Sequence, residues 1–145
     1  MKLTEHFHLE ELIRSETAAC KGIDNTPNGV QTAALKQLCM NVLEPWRRHL
    51  GKPVSISSGF RCEELNRLVG GKKNSQHLKG EAADLPMRSY KEAVCCVEWL
   101  MNNTDFDQIL IETRNRRTFW VHVSCKLNAA ENRHVYSGFL QKNSP

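Results

Sequence analysis

Three short segments carry the side chains that could do chemistry. The first, residues 75–84, reads Ser-Gln-His-Leu-Lys-Gly-Glu-Ala-Ala-Asp and sets His77 seven positions before Asp84. Imidazole and carboxylate are both zinc ligands, and a loop that feeds a strand can fold two such groups back onto one ion. Gly80, Ala82 and Ala83 between them leave room for a close backbone approach. Taken alone, such a pair is more often a surface histidine and a turn aspartate. The second segment, residues 119–125, is Phe-Trp-Val-His-Val-Ser-Cys. Strand alternation puts Phe119, Val121, Val123 and Cys125 on one apolar face, with Trp120, His122 and Ser124 on the other. His122 can ligate a metal from there, although a plain sheet-surface histidine is commoner; Cys125 points away and is not counted as a ligand. In the third segment, Ser57-Ser58-Gly59-Phe60-Arg61-Cys62, a strand ends, the chain turns at Gly59 and Arg61 starts a helix. A guanidinium there can take a carboxylate in a planar two-pronged contact, and an ordinary surface arginine is the alternative.

The elements that must position these groups follow from periodicity. His8–Ile13 has helical spacing, and a polar stretch runs from there to Asn25. Thr26-Pro27 is a helix-start signal, and Val30, Leu35, Leu38, Val42 and Trp46 mark a long amphipathic helix bent at Pro45 and ended by Gly51. Pro53–Ser57 reads as a strand and Cys62–Val69 as a helix stopped by Gly70-Gly71. Residues 72–80 form a polar loop, Glu81–Leu85 a brief strand and Tyr90–Met101 a helix with one apolar face. Asp107–Glu112 and Thr118–Lys126 are strands around a basic turn, and Val135–Phe139 is a last strand. Helices first, then strands mixed with helices, predict an α+β fold: a small, mostly antiparallel sheet with helices packed on it.

Composition narrows the function classes. The 145 residues are 40% hydrophobic and 25% charged, ordinary for one globular domain spanning 1–145 and long enough to bury its own core. A net charge of +4 is a mild excess, and its small groups (Arg47-Arg48, Lys72-Lys73, Arg114 with Arg116-Arg117) are too scattered for a nucleic-acid stripe. No apolar run is long enough for a membrane span, and residues 1–12 lack the apolar segment of a secretory signal. The expectation is a monomer made in the cytoplasm without a signal peptide. The six cysteines form no C-x-x-C pair and are expected to be reduced and outside any metal site.

Together, Ser-Gly-Phe-Arg, then S-x-H-x-x-G-x-A-x-D, then Trp-Val-His-Val-Ser change the odds on each segment. In this order they resemble the zinc D-alanyl-D-alanine carboxypeptidase and L-alanyl-D-glutamate endopeptidase family of peptidoglycan peptidases, which shares its core with the Hedgehog signalling domain. The resemblance spans roughly residues 3–126 and is greatest to short, single-domain members from bacteria and their phages. It implies zinc held by His77, Asp84 and His122, a substrate carboxylate bound by Arg61, and Ser75 lining the substrate site. Its implied partner is a peptidoglycan stem peptide, so the chain would act on the cell wall, as a phage or prophage lysis enzyme. Many relatives carry an acid or a histidine two or three positions before the last ligand. Here those positions hold Trp120 and Phe119, and neither takes a proton.

Parity offers a replacement. Gln108, Leu110 and Glu112 share one face of their strand, while the aliphatic Ile109 and Ile111 share the other and should face the core. With a three-residue turn, Asn115 to Arg117, Glu112 lies opposite Trp120 and diagonal to His122, about 7–8 Å away between backbones. A five-residue turn would bring Gln108 opposite His122 instead, and parity permits both. The first register is preferred because it supplies a general base, Glu112, matching a glutamate before the corresponding turn of the Hedgehog domain. Zinc would activate water for attack on the peptide carbonyl while Glu112 moves the proton. The sequence leaves the cleaved bond open between D-Ala-D-Ala and L-Ala-D-Glu. It also leaves two other functions: a non-catalytic, zinc-containing module that binds wall peptides, and a phage structural domain without metal.

Overall fold

The computed structural model describes residues 1–142. Six α-helices and four strands run in the order α1 (Leu9–Ile13), α2 (Glu16–Lys21), α3 (Gly29–Leu38), α4 (Glu44–Leu50), α5 (Glu63–Leu68), β1 (Ala82–Met87), α6 (Tyr90–Asn103), β2 (Gln108–Arg114), β3 (Thr118–Ser124) and β4 (Val135–Gln141). The sheet order is β1-β3-β2-β4. β1 and β2 both pair antiparallel with β3, and β4 adds to the outer edge of β2 in parallel. The α+β expectation holds, with a sheet that is mixed because of β4.

The hairpin takes the three-residue-turn register. Leu110 stands opposite His122, Glu112 opposite Trp120 and Arg114 opposite Thr118. Asn115 and Arg116 adopt left-handed backbone in the turn (φ 59° and 56°). Alternation then splits the sheet into two faces. Ala83, Leu85, Ile109, Ile111, Val121 and Val123 are sealed in the core, joined by Ala93, Cys96, Val97 and Leu100 of α6. Fully burying one side chain such as Leu100 contributes about 1.5–3 kcal/mol, so the α6 stripe is enough to clamp the helix to the sheet. Asp84, His122 and Glu112 occupy the opposite face, beneath an open groove.

Several local readings are corrected. The polar stretch before Asn25 contains α2, capped by Ser15, whose hydroxyl accepts from the Ala18 N–H at 3.1 Å, and ended by left-handed Gly22. α3 begins two residues after Thr26-Pro27, because Asn28 and Gln31 form a reciprocal cap with both bonds at 2.8 Å. The long helix is continuous through a π turn at Cys39–Leu43, which widens the backbone just ahead of Pro45 in the first turn of α4. Pro53–Ser57 forms no strand. Ser58 makes a single bridge to Asp84, and the next rung outward would need an N–H from Pro86, which has none.

Two glycines are required by close approach. A Cβ on Gly59 would lie 2.1 Å from the Leu12 carbonyl oxygen, where α1 meets the turn. Gly80 has φ +73°, and a Cβ there would lie 2.5 Å from the Gln31 carbonyl oxygen. These contacts press the loops carrying Arg61 and His77 against the helical layer.

Candidate metal centre

Each of the three candidate ligands sits on a different support. Asp84 is in the middle of β1, cross-strand from His122 on β3. His77 belongs to a 3₁₀ turn, Gln76–Lys79, whose first N–H groups are capped by Ser75. That turn is tied to the neighbouring loop, since the Arg61 N–H donates to the His77 carbonyl at 3.1 Å. Ser57 N–H to Asp84 O (3.0 Å) and Asp84 N–H to Ser58 O (2.8 Å) fasten the Ser-Gly-Phe-Arg segment along β1. All three sequence segments therefore meet at one point.

Nε2 of His77 lies 3.3 Å and Nδ1 of His122 lies 3.2 Å from the same oxygen of Asp84, Oδ1. The two imidazoles meet edge to face with ring centroids 5.1 Å apart. His77 Nδ1 is 2.7 Å from the Gly59 carbonyl, which can only accept, so Nδ1 carries a proton and Nε2 is the ring nitrogen turned toward Asp84. His77 is 3% exposed and His122 9%, so the donors converge in a largely dry place. Burial alone would raise the Asp84 pKa. The two imidazoles, by charge and hydrogen bond, more than reverse this and hold it far below the ordinary carboxylate range. Two imidazoles and an ionised carboxylate within ligand distance of one another match the His/Asp chemistry that zinc accepts.

Glu112 is 4% exposed and completes the face. Its Oε1 lies 3.8 Å from His122 Nδ1 and accepts from Trp120 Nε1 at 3.1 Å, while Oε2 pairs with Lys142 Nζ at 2.9 Å. Across the groove, Arg61 Nη2 reaches the Ser75 hydroxyl, at 3.5 Å. The buried Arg61 Nε has no hydrogen-bond partner among the described residues. Burial lowers the guanidinium pKa, and Asp84 and Glu112 oppose that shift, but arginine stays charged. The groove measures about 890 Å³ and is walled by Arg61, Ser75, Asp84, Glu112, Trp120 and His122 among others.

All six residues singled out from the sequence thus line one groove. Cys125 lies outside it, in the core, and the cysteines are free thiols. Sequence reasoning missed three contributors. Trp120 was passed over as unable to take a proton, yet it donates one hydrogen bond to Glu112, and its parity with His122 was the available signal. Gln76, an unassigned position inside the motif, reaches His122 Nε2 through its side-chain oxygen at 3.2 Å. Lys142 arrives from β4 and left no local signal. A second group, Glu5, His6 and Glu44, also brings potential ligand atoms together, but the Arg48 guanidinium already reaches into it, 3.3 Å from Glu5 and 4.0 Å from Glu44.

Residues 5–124 match the family model described as Peptidase M15. Over 69 residues the chain is 38% identical to the zinc D-Ala-D-Ala carboxypeptidase of Streptomyces albus G, an alignment covering 47% of this chain and 26% of that protein. The chain thus spans about a quarter of that relative's length. The family match runs through all three motif segments and takes in every one of the six groove residues read from the sequence, and on that extent the chain belongs to the peptidase M15 family.

Proposed function

We propose that the chain is a zinc-dependent peptidase that hydrolyses peptidoglycan stem peptides, with His77, Asp84 and His122 as the metal ligands. The observation that carries this reading is the convergence of His77 Nε2, Asp84 Oδ1 and His122 Nδ1 beside a buried carboxylate and under an open groove. Bound there, zinc supplies Lewis acidity, polarising the scissile carbonyl and bringing water to a pKa of about 7.

Glu112 is the general base. Its Oε1 is on the His122 side of the groove and takes the proton of the attacking water, then passes it to the leaving amine. The Trp120 N–H and the Lys142 ammonium hold the two carboxylate oxygens apart, so that the carboxylate cannot swing away from the reacting carbonyl. Arg61 takes a substrate carboxylate. Its unpartnered Nε and its loosely held Nη2 are donors that a two-pronged carboxylate satisfies, which sets the register of the bond being cut. Ser75 supports that contact from beside His77. A D-alanine or D-glutamate residue of a stem peptide presents the required carboxylate, so the reading covers both D-Ala-D-Ala carboxypeptidase and L-Ala-D-Glu endopeptidase activity. Its place of action is the cell wall, where such peptides occur, and lysis on behalf of a phage or prophage is the biological role it suggests.

Digestion of purified muropeptides, followed by mass spectrometry of the fragments, tests the proposal. Zinc-dependent loss of a terminal D-alanine identifies the first activity, and separation of L-alanine from D-glutamate the second. Intact muropeptides after incubation with zinc-loaded protein reject the enzymatic reading and leave a binding module.

A further inference from the structure

A chain of polar contacts leads from His122 along the groove wall through Gln76 to Asp107 and Arg133, and has no part in the roles above. Oε1 of Gln76 lies 3.2 Å from His122 Nε2, and Gln76 Nε2 donates to Asp107 Oδ2 at 2.9 Å. Asp107 is fully buried. Arg133 grips its carboxylate from the far side, with the backbone N–H and Nε on Oδ1 at 2.8 and 3.1 Å and Nη2 on Oδ2 at 3.0 Å.

The chemistry of these groups fixes the protons at the Asp107 end of the chain. A carboxylate held by arginine only accepts, so the Gln76 amide must turn its NH₂ toward Asp107 and its oxygen toward His122. An amide oxygen only accepts, so Gln76 draws the ring proton of His122 to Nε2. Asp84 Oδ1, 3.2 Å from Nδ1, also only accepts and draws the same proton the other way, so in the metal-free site the amide sets how much of His122 keeps a lone pair on Nδ1. We infer that Gln76 is a positioning residue which, anchored by the Asp107–Arg133 pair, biases His122 toward the Nε2–H tautomer against the pull of Asp84 and so turns its Nδ1 lone pair to the metal centre. On His77 a proton is held at the other ring nitrogen, Nδ1, by a backbone carbonyl, that of Gly59. The two histidines therefore depend on different supports, and only that of His122 is made of side chains. Arg133 lies beyond residues 5–124, so part of this support comes from outside the segment matched by the family model.

The inference rests on His122 as a ligand, and its test separates the two claims. Heteronuclear NMR of the histidine ring nitrogens in metal-free protein, at a pH where the imidazole is neutral, reads the tautomer directly. The wild type should show the Nε2–H form of His122 populated beside the Nδ1–H form that Asp84 favours. Gln76→Ala should shift the balance to the Nδ1–H form, with an unchanged melting temperature of the metal-free protein. Competition with a chromophoric chelator should then show zinc binding weakened about 10–100-fold, the usual cost of losing such a support. Asp107→Asn, which lets the Gln76 amide turn either way, should shift both readouts in the same direction by less. Gln76→Met keeps the side-chain length without the amide and takes the place of the alanine variant if that variant misfolds. A tautomer unchanged on loss of the Gln76 amide overturns the inference, as does a changed tautomer with unchanged zinc affinity. A wild type that takes up no zinc defeats the metallopeptidase reading instead, while the tautomer comparison still decides whether Gln76 holds His122.

Discussion

β1, β2 and β3 present two faces made by the same alternating residues, and the two are built on opposite plans. On the core face, Ile109, Ile111, Val121 and Val123 are fully buried against α6. Each is held by many weak contacts, none of which is directional. On the groove face, Asp84, Glu112 and His122 are almost as buried, yet each is held by two or three named polar partners at fixed distances. The core face contributes stability and tolerates small changes of shape. The groove face contributes orientation, and buried polar groups of this kind add little net stability. Substitutions on one face should therefore unfold the protein, and on the other disable it while it stays folded.

The largest effect expected on the groove face is removal of a ligand. His77→Ala leaves two donors of the three, so tight zinc binding should disappear and turnover should fall by on the order of 10⁴-fold or more out of an enzymatic acceleration of at least about 10⁶. Elemental analysis and turnover on an authentic stem peptide measure both. An alanine variant that binds zinc like the wild type would remove His77 from the metal centre and break the contrast at its root.

Next comes Glu112, the proposed base. Glu112→Gln keeps the shape and can still receive the Trp120 hydrogen bond on its amide oxygen, but it cannot take a proton. Turnover should fall about 10²–10⁴-fold, the typical contribution of a general base, with zinc content unchanged. Loss of zinc would make Glu112 a structural support of His122, whereas full activity would reassign the base.

The core face gives the reverse pattern. Ile111 is fully buried directly behind the groove, next to Glu112 in sequence. Ile111→Ala should lower the unfolding free energy by about 2–5 kcal/mol through lost burial and a residual cavity. Turnover per folded, zinc-loaded molecule should stay at the wild-type value, as read by chemical denaturation beside active-site-normalised kinetics. A large drop in turnover at full zinc occupancy would mean that the two faces are mechanically coupled.

The same contrast explains what could be read from the sequence. The core face announces itself by period: Ile109 and Ile111 against Val121 and Val123 determine which way Glu112 and His122 point, and the three-residue turn at Asn115–Arg117 sets the rungs. His77, Asp84, His122 and Arg61 are legible because their types and spacing are unusual. α2 was missed even though Ser15 and Gly22 mark its ends, because six residues are too few to show a period. The Pro53–Ser57 strand failed for a reason outside its own sequence, the missing N–H of Pro86 on its would-be partner. The parallel direction of β4, and with it Lys142 at Glu112, depends on a crossover that no local pattern encodes. Gln76 was illegible for another reason: it acts by orienting a different residue, and only the folded geometry names that residue, whereas Trp120 shares the parity of His122 and stands opposite Glu112 but was weighed only as an acceptor of protons.

Trp120 offers the finest test of the groove's plan. It is half-buried at the groove wall, with the Arg114 guanidinium 5.8 Å above its ring and its Nε1–H on Glu112 Oε1 at 3.1 Å. Trp120→Phe keeps most of the apolar ring and removes only that donor. A hydrogen bond to a charged group is worth about 1.5–3 kcal/mol where nothing replaces it. Here the groove admits water and Lys142 still holds Oε2, so the cost should be at or below about 1.4 kcal/mol, or tenfold in rate. The loss should appear in kcat, with KM, zinc affinity and melting temperature near wild type, because the Trp120 N–H orients the base and touches neither metal nor substrate carboxylate. Introduced into Glu112→Gln, the same substitution should change turnover little further, since its effect runs through the carboxylate that is no longer there. Additive losses in the double variant would show that Trp120 acts on substrate in its own right. An unchanged kcat in the single variant would show that Lys142 alone orients Glu112, and a weaker zinc affinity would move Trp120 to the support of His122.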